Sequence, residues 1–542
     1  MNKSERRTQV LIVGGSLGAI AAALSLGRIG VHSLLVSEDY WLGGQVTAQG
    51  VPPDEHPWIE MTGATASYRS FRRRVRDTYA RVLPEHVEDR YNPKFNPGDG
   101  HVSSLCALPT VSRQVIEEML LPLTARGTLS IFRGQRPVAC TVDADRVRAV
   151  EFDELFVQAE WVLDGTETGE LLALAAVEYV VGSESQEMTG EPHAGQEYRP
   201  DNQQAVSWCT ALQWLPGNEE HVSRPSSYDH WKTHIPANWP NPQLSFRDAD
   251  PISRQTRELS LLGGASPNAL PPEGRWGFRR ISRSTTAHPD RPDVTLVNWP
   301  QLDYTELPAV GGDNPAYALR RARELTLSFV HWLQLEAPRE DGGYGYQELR
   351  LRGDLFETTH GLARDAYYRE SRRIRAAFTV TENHVGTYAR GERVGAERFF
   401  DSVGLASYRI DLHPSSGGDP YIDIESWPAQ IPLGALLPER VENVLPASKN
   451  IGTTHISNGM YRVHPAEWNV GEAAGALAAK AVEWKTSPRA IREDGALLEA
   501  FQRFIHEKLG FELEWPQPIR ETSRWVPQGH WDNRSRRSGW RL

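Results

Sequence analysis

The sequence predicts an α/β fold, with a parallel-sheet domain discontinuous in the chain and an α+β region inserted into it. Three observations carry this. A strand, a glycine turn, a helix and a second strand follow one another within the first 37 residues. A short strand and a helix rich in small residues recur late, between 444 and 479. Between them, from about 186 to 424, run long loops rich in Pro, Trp, His and Asn. The expected organisation is a nucleotide-binding domain from 1–185 and 425–490, a substrate or cap region over 186–424, and an extension over 491–542.

The first element is the apolar run Val10, Leu11, Ile12 and Val13, followed at once by Gly14, Gly15, Ser16, Leu17, Gly18 and Ala19. Residues 20–29 are rich in Ala and Leu and read as a helix that Gly30 stops. Residues 31–36 form the second strand. A turn without side chains lets a pyrophosphate approach the backbone, and the helix N-terminus offers free N–H groups and partial positive charge. This is a Rossmann-like βαβ unit. It departs from the ideal GxGxxG, because the second glycine position holds Ser16 and the third holds Ala19; Gly15 and Gly18 are expected to share the burden. An acidic residue at the end of the second strand normally holds a ribose hydroxyl. Position 37 is Ser and position 38 is Glu, so Glu38 is expected in that role with Ser37 assisting.

Gly43, Gly44 and Gln45 come next, a glycine pair suited to backbone passing close to a dinucleotide. Residues 161–164 read as a strand ending in the turn Asp164, Gly165, Thr166, Glu167. The best helix of the inserted region spans 314–335, where Leu319, Ala322, Leu325, Leu327 and Phe329 recur near helical spacing. Residues 444–447 are a buried-strand candidate. Residues 470–479 read as a helix with a small-residue face, from Gly471 and Ala473 onward. Further glycine pairs at 263–264, 311–312, 342–343 and 417–418 sit in loops, so a second dinucleotide domain is not expected. The tail over 520–542 is basic and carries Trp.

Composition narrows the function classes. The net charge of −11 argues against nucleic-acid binding, which needs a basic face. The three cysteines form no CxxC pair, and no HExxH, GxSxG elbow or P-loop occurs, so no metal site, hydrolase or NTP-driven reading has a motif. Few cysteines suit a reducing compartment, and a cytoplasmic location is expected. No run long and apolar enough to span a membrane is present. Seventeen tryptophans fit either a Trp-rich core or the wall of a flat ligand, with Trp299, Trp332, Trp427 and Trp468 in patterned segments.

The run SLLVSEDYWLGGQVTAQGVPPDEHPWIE resembles the FAD-dependent oxidoreductase family, of glutathione-reductase-like flavoprotein fold, some of whose relatives are labelled xanthan-lyase-related. The resemblance continues through NPGDGHVSSLCALPTV, 294–304, 367–380, 407–414 and 431–479, and is weakest over the last forty-odd residues. It implies FAD as cofactor, with the 43–44 glycine pair along the ribityl–pyrophosphate stretch and the Asp164 to Glu167 turn returning the chain to the cofactor. It also implies that the helix near 470–479, with Asn469, Gly471 and Ala473, directs its N-terminus at the flavin ring and stabilises negative charge there.

Oxidation by a flavin needs a base near the substrate. His455 and His464 lie just before the small-residue helix, and either is a candidate, with Glu467 as an orienting partner. Arg369, Arg372 and Arg373 would share one helical turn if 367–375 is helical, giving a basic patch that binds a substrate carboxylate or phosphate, with Arg372 the candidate catalytic residue, or that contacts FAD phosphates or forms ion pairs with Glu370. Arg409 and His413 form a third cluster. The expected activity removes a hydride from a small polar organic substrate, with oxygen, a quinone or a protein as acceptor. The alternatives are a flavin-containing lyase or isomerase without net redox, and a nucleotide-binding protein without catalysis. Covalent flavin attachment through His455, His464 or Cys106 stays open.

Overall fold

The computed structural model describes residues 3–83, 88–237, 239–263, 274–284 and 291–524. Its main sheet is built around β1 (Ser4–Val13), which pairs in parallel with β2 (Ser33–Ser37) and with β6 (Leu155–Asp164). Strand β3 (Leu129–Arg133) continues the parallel sheet beyond β2. Strands β4 (Pro137–Asp143) and β5 (Arg146–Phe152) form an antiparallel meander with the first half of β6. The late strand β11 (Val444–Pro446) returns to pair in parallel with the last three residues of β6. Val13, Val36, Asp164 and Pro446 therefore align at the carboxyl ends of four parallel strands. That edge is where an open parallel sheet presents its binding crevice.

Val10, Leu11, Ile12 and Val13 are all fully buried, as a central parallel strand covered on both faces requires. Their side chains alternate. Val10 and Ile12 enter one core with helix α1 (Leu17–Ile29), whereas Leu11 and Val13 enter another with Leu171 and Leu172. Gly30 ends α1 in the left-handed conformation at φ 91°, its N–H donating to the Leu26 carbonyl. Helices α2 (Ala66–Val82) and α3 (Pro109–Ala125) extend the α1 side of the core.

A second, antiparallel sheet has the order β8 (Arg280–Ser282), β9 (Asp293–Val297), β7 (Thr210–Trp214), β10 (Leu349–Leu351). Helix α4 (Pro315–Leu335) packs on it through Ala318, Ala322, Leu325, Phe329 and Leu333. Asn314 caps α4 by accepting from the Tyr317 N–H, and Pro315 opens it at the position where a missing N–H costs nothing. This region has its own hydrophobic core, into which Trp299 and Trp332 are packed.

Helices α5 (His455–Tyr461) and α6 (His464–Trp484) follow β11. The 470–479 pattern is thus the middle of a longer helix, which begins at His464 because Pro465 sits at its first turn. Trp468 is buried beside Phe71, with their rings stacked at 5.6 Å, and its indole N–H donates to Ser67 Oγ. Beyond α6, α7 (Pro488–Glu493) and α8 (Gly495–Phe504) return to the first core through Ile491, Leu498 and Phe501, and Phe511 follows them in. The first part of the 491–542 extension is therefore integral to the main core. Most of the basic tail, from 525 onward, lies outside the described residues.

One expectation is corrected. Residues 367–375 are not helical; the segment is extended, with only Arg373 and Ile374 in a strand. The three arginines consequently part company. Arg369 bonds the Ala205 carbonyl and Ser207 Oγ and pairs with Asp303, while Arg373 pairs with Glu184 and Glu370. Arg372 donates to the Thr168 carbonyl and lies over the Tyr179 ring.

Candidate functional site

Two cavities define the site. The first, a cleft of about 420 Å³, opens at the carboxyl ends of β1 and β2. Gly14, Gly15, Ser16, Ser37, Glu38, Gly44 and Thr166 line it, together with Trp41, Glu167, Glu170, Asp365 and Tyr368.

Its floor is built by close backbone crossing. Gly14 holds φ +105°, and a Cβ there would meet the Gly165 carbonyl at 2.2 Å. A Cβ on Gly15 would meet Ser37 Oγ at 2.5 Å. Ser16 has a specific reason to replace the expected glycine. It is the N-cap of α1, its side chain accepting from the Ala19 N–H at 3.2 Å. Asp164 performs a similar task at the end of β6. Its Oδ1 accepts from the Thr166 N–H and Oγ, fixing the turn that carries Thr166 to the cleft. Burial pushes the Asp164 carboxyl up to about 6 against those hydrogen bonds.

The remaining glycines and small residues of the motif serve packing. Gly18 lies against the Ala447 carbonyl and Gly471 lies against the Gly18 carbonyl, each leaving only 1.9 Å for a Cβ. Gly475 meets Ala22 in the same way one turn later. The small face of α6 thus meshes with α1, and Leu17 and Ala473 are buried in the same core. Asn469 bonds the backbone of Val403 and Leu405. None of Leu17, Gly18, Asn469, Gly471 and Ala473 is among the residues lining the cleft. Gly43 donates to the Gly15 carbonyl, tying the 43–44 turn to the first.

The inner end of the cleft is acidic. Glu167 is ion-paired to the buried Lys449. Burial, with Glu167 nearby, pushes Asp365 up to about 7. Gln45, next to Gly44, donates to Glu467 and to the Arg462 carbonyl. Among the described residues its Oε1 is buried without a partner, as is Nε2 of His464. The other nitrogen of His464, Nδ1, accepts from the Asp54 N–H at 3.0 Å, and burial lowers its pKa to about 4.

The second cavity, about 250 Å³, is lined by Glu184, Glu191, His193, Arg199, His413 and His455, with Leu412, Ile422, Ile424 and Ile456 on its apolar side. His455 opens α5, where Thr454 caps the helix and the His455 N–H donates to Glu184. Its Nδ1 bonds Glu370 Oε2 at 2.9 Å. Burial opposes charge on His455, but the Glu370 carboxylate outweighs it and the pKa is raised. Glu370 is itself held down to about 2, burial being overcome by His455 and Arg373. His413 forms a second such pair, with Nδ1 at 2.6 Å from Asp303 Oδ2. Asp303 is buried, yet Arg369 and His413 keep it below the usual carboxylate range. Burial pushes Glu191 up to about 7. The extended 367–375 segment links the two cavities, for Tyr368 lines the first and Glu370 backs the second.

Arg372 lines neither cavity, and neither does Cys106. Asp365, Glu184, Glu191 and Asp303 join the site without any local motif that marks them in the sequence.

The cleft suits a dinucleotide. It offers a glycine turn at a helix N-terminus, an acidic residue after the second strand and, next to Gly44, the Gln45 Oε1 that is buried without a partner among the described residues. A family model described as FAD dependent oxidoreductase matches residues 9–505. A search of curated proteins finds no match. Solved structures that align include a geranylgeranyl bacteriochlorophyll reductase-like protein from Thermoplasma acidophilum. It is 10% identical at TM-score 0.33, over 93% of this chain and 85% of that one. L-proline dehydrogenase from P. horikoshii aligns at 10% identity and TM-score 0.25 over 39% of this chain, which spans 62% of that one, under two thirds of its length. L-amino acid deaminase from Proteus vulgaris aligns at 11% identity and TM-score 0.23, over 40% and 56% of the two chains. No helix among the described residues is long and apolar enough to cross a membrane.

Proposed function

The chain belongs to the family of FAD-dependent oxidoreductases, and from that premise we propose that it removes a hydride from a small polar organic substrate and passes the electrons to oxygen, a quinone or a protein. The observation that carries this reading is the pairing of a dinucleotide-shaped cleft with a cavity holding a carboxylate-backed histidine. Bound FAD supplies the ring that accepts a hydride. The Gly14 to Ser16 turn and the N-terminus of α1 would hold its pyrophosphate, and Glu38 with Ser37 its ribose. Gly44, Gln45 and Thr166 border the path inward. Residues 1–185 and 425–490 carry most of this cofactor role, joined by Asp365 and Tyr368, and 186–424 shapes most of the substrate side, joined by Glu184 and His455. A chain with only three cysteines suits a reducing, cytoplasmic setting.

His455 is favoured as the base. It faces a cavity through one edge, and Glu370 orients it through Nδ1 and stabilises the charge it gains on taking a proton. His464 is buried, holds its pKa near 4 and accepts from the Asp54 amide, so it stays neutral and serves position rather than proton transfer. Arg372 is spent on Thr168 and Tyr179, which leaves substrate anions to other groups.

One observation favours a second reading. Three histidine–carboxylate pairs, His193–Glu382, His413–Asp303 and His455–Glu370, present their histidines to a single cavity, which suits removing a proton and returning it elsewhere without net redox, as in an isomerase or lyase. Anaerobic addition of alcohols, 2-hydroxy acids and amines to the FAD-loaded protein separates the two. Bleaching of the flavin band by one class supports oxidation. Turnover without bleaching supports the second reading. Bound flavin with neither response sinks both and leaves a nucleotide-binding protein.

A further inference from the structure

Away from both cavities, His230, His234 and Glu306 bring one ligand atom each within 4.8 Å of one another. His230 lies in the short helix Tyr228–Thr233 and His234 is its C-cap, so a four-residue spacing sets both imidazoles on one side. Their rings stack 5.1 Å apart at 25°. His230 Nε2 lies 2.7 Å from Glu306 Oε1. The other oxygen of Glu306 accepts from Arg321 Nε and Nη2 at 3.3 and 3.2 Å, which fixes the carboxylate and leaves Oε1 turned to the histidine. Trp231 closes the inner side, its ring edge-on to both imidazoles at 4.7 and 5.5 Å. The His230 side chain is 44% exposed, and an ion reaches the group from solvent without opening the fold.

We propose that His230, His234 and Glu306 form a binding site for a divalent late first-row metal ion, with Zn²⁺ the reference case. Two imidazoles and one carboxylate are a borderline-soft donor set, and water completes the tetrahedron. Metal–ligand bonds of about 2.0–2.2 Å require these atoms to shift by only about 1 Å. Arg321 is the outer group that holds the carboxylate ligand in place. The site would clip residues 230–234 to the segment that ends at Glu306. That segment begins at Asp303, the partner of His413. Gln243 already bridges the two, its N–H donating to the His234 carbonyl and its side chain to the Asp303 carbonyl. The ion would thus brace a wall of the second cavity.

The test uses the full-length, FAD-loaded protein, stripped with chelator and titrated with Zn²⁺ by calorimetry. One equivalent is expected to bind, with affinity falling at least about 100-fold in His230→Gln and His234→Gln and about tenfold or more in Glu306→Gln. His230 is exposed and neither His234 nor Glu306 is fully buried, so these isosteric or near-isosteric changes should leave the metal-free melting temperature and circular dichroism close to wild type. Wild-type protein that takes up no Zn²⁺ overturns the proposal. So does an unchanged stoichiometry and affinity in the His230→Gln/His234→Gln double variant, which would place the ion elsewhere.

Discussion

The two cavities are made in different ways. The first is made mostly of backbone. Its shape comes from Gly14 against Gly165, Gly15 against Ser37, and a helix start capped by Ser16. The second is made of charged side chains held by one another, in which Glu184, Asp303, Glu370, His413 and His455 converge from five separate segments. A backbone cradle tolerates no added atom but needs no charge. A charge network tolerates small changes of shape but no loss of a partner. The contrast predicts opposite sensitivities, and each can be broken deliberately.

The largest effect is expected where backbone crossing is tightest. Gly18→Val would drive a side chain into the Ala447 carbonyl and separate α1 from β11. Overpacking of this kind costs at least about 1–3 kcal/mol, and backbone cannot yield as a side chain does. Loss of soluble, folded protein or a melting temperature lowered by many degrees is the expected readout, while Gly30→Ala, with open space around it, should be far milder despite its positive φ.

Next comes the charge network. Glu370→Gln removes the carboxylate that raises the His455 pKa and leaves Arg373 with Glu184 alone. If His455 is the base, kcat should fall by about 10²–10⁴-fold, and the acid limb of the rate profile should move to lower pH, because a less basic His455 deprotonates earlier. An unmoved acid limb would assign the base elsewhere. His464→Gln, by comparison, should leave that limb in place.

A smaller effect is expected from Asp365. Its carboxyl holds a proton up to about pH 7 in the folded protein, whereas an unfolded chain releases it near 4. The folded state therefore carries the extra proton between those values, and its stability falls as pH rises across that window and is flat above it. The melting temperature of Asp365→Asn, measured from pH 5 to 8, should fall less steeply than that of the wild type. Smallest is Ser16→Ala, which loses the α1 cap for about 1 kcal/mol, whereas Ser16→Gly costs a few tenths. Thermal denaturation of the pair separates a capping role from a mere need for a small residue.

The same contrast explains what was legible in the sequence. The βαβ unit was readable because its elements are adjacent and its signals local: a β-branched run, glycines, then alanines. Helix α4 was found to within a residue for the same reason, with Asn314 and Pro315 marking its start. The small residues of α6 were visible, but not their partner. Gly471 and Gly475 face α1, a contact that spacing within one helix does not specify. The arginines of 367–375 misled because their spacing fits a helical turn, while the segment is extended and each guanidinium is claimed by a different long-range carboxylate or carbonyl. Asp303 and Glu184 are illegible, since an acid that acts by pairing with a histidine or arginine a hundred or more residues away, His413 and Arg373 here, leaves no mark at its own position.

The most direct test of the central claim is the affinity of the apoprotein for FAD, in wild type and in Gly15→Val with its fold confirmed by circular dichroism. A side chain at 15 is directed at Ser37 Oγ, on the floor of the cleft beneath the expected pyrophosphate. Stoichiometric FAD binding is expected in the wild type, with a loss of at least about 100-fold, or about 2.7 kcal/mol, in the folded variant. Equal binding by both proteins would contradict it, because the cofactor would then lie somewhere other than the Gly14 to Ser16 cradle.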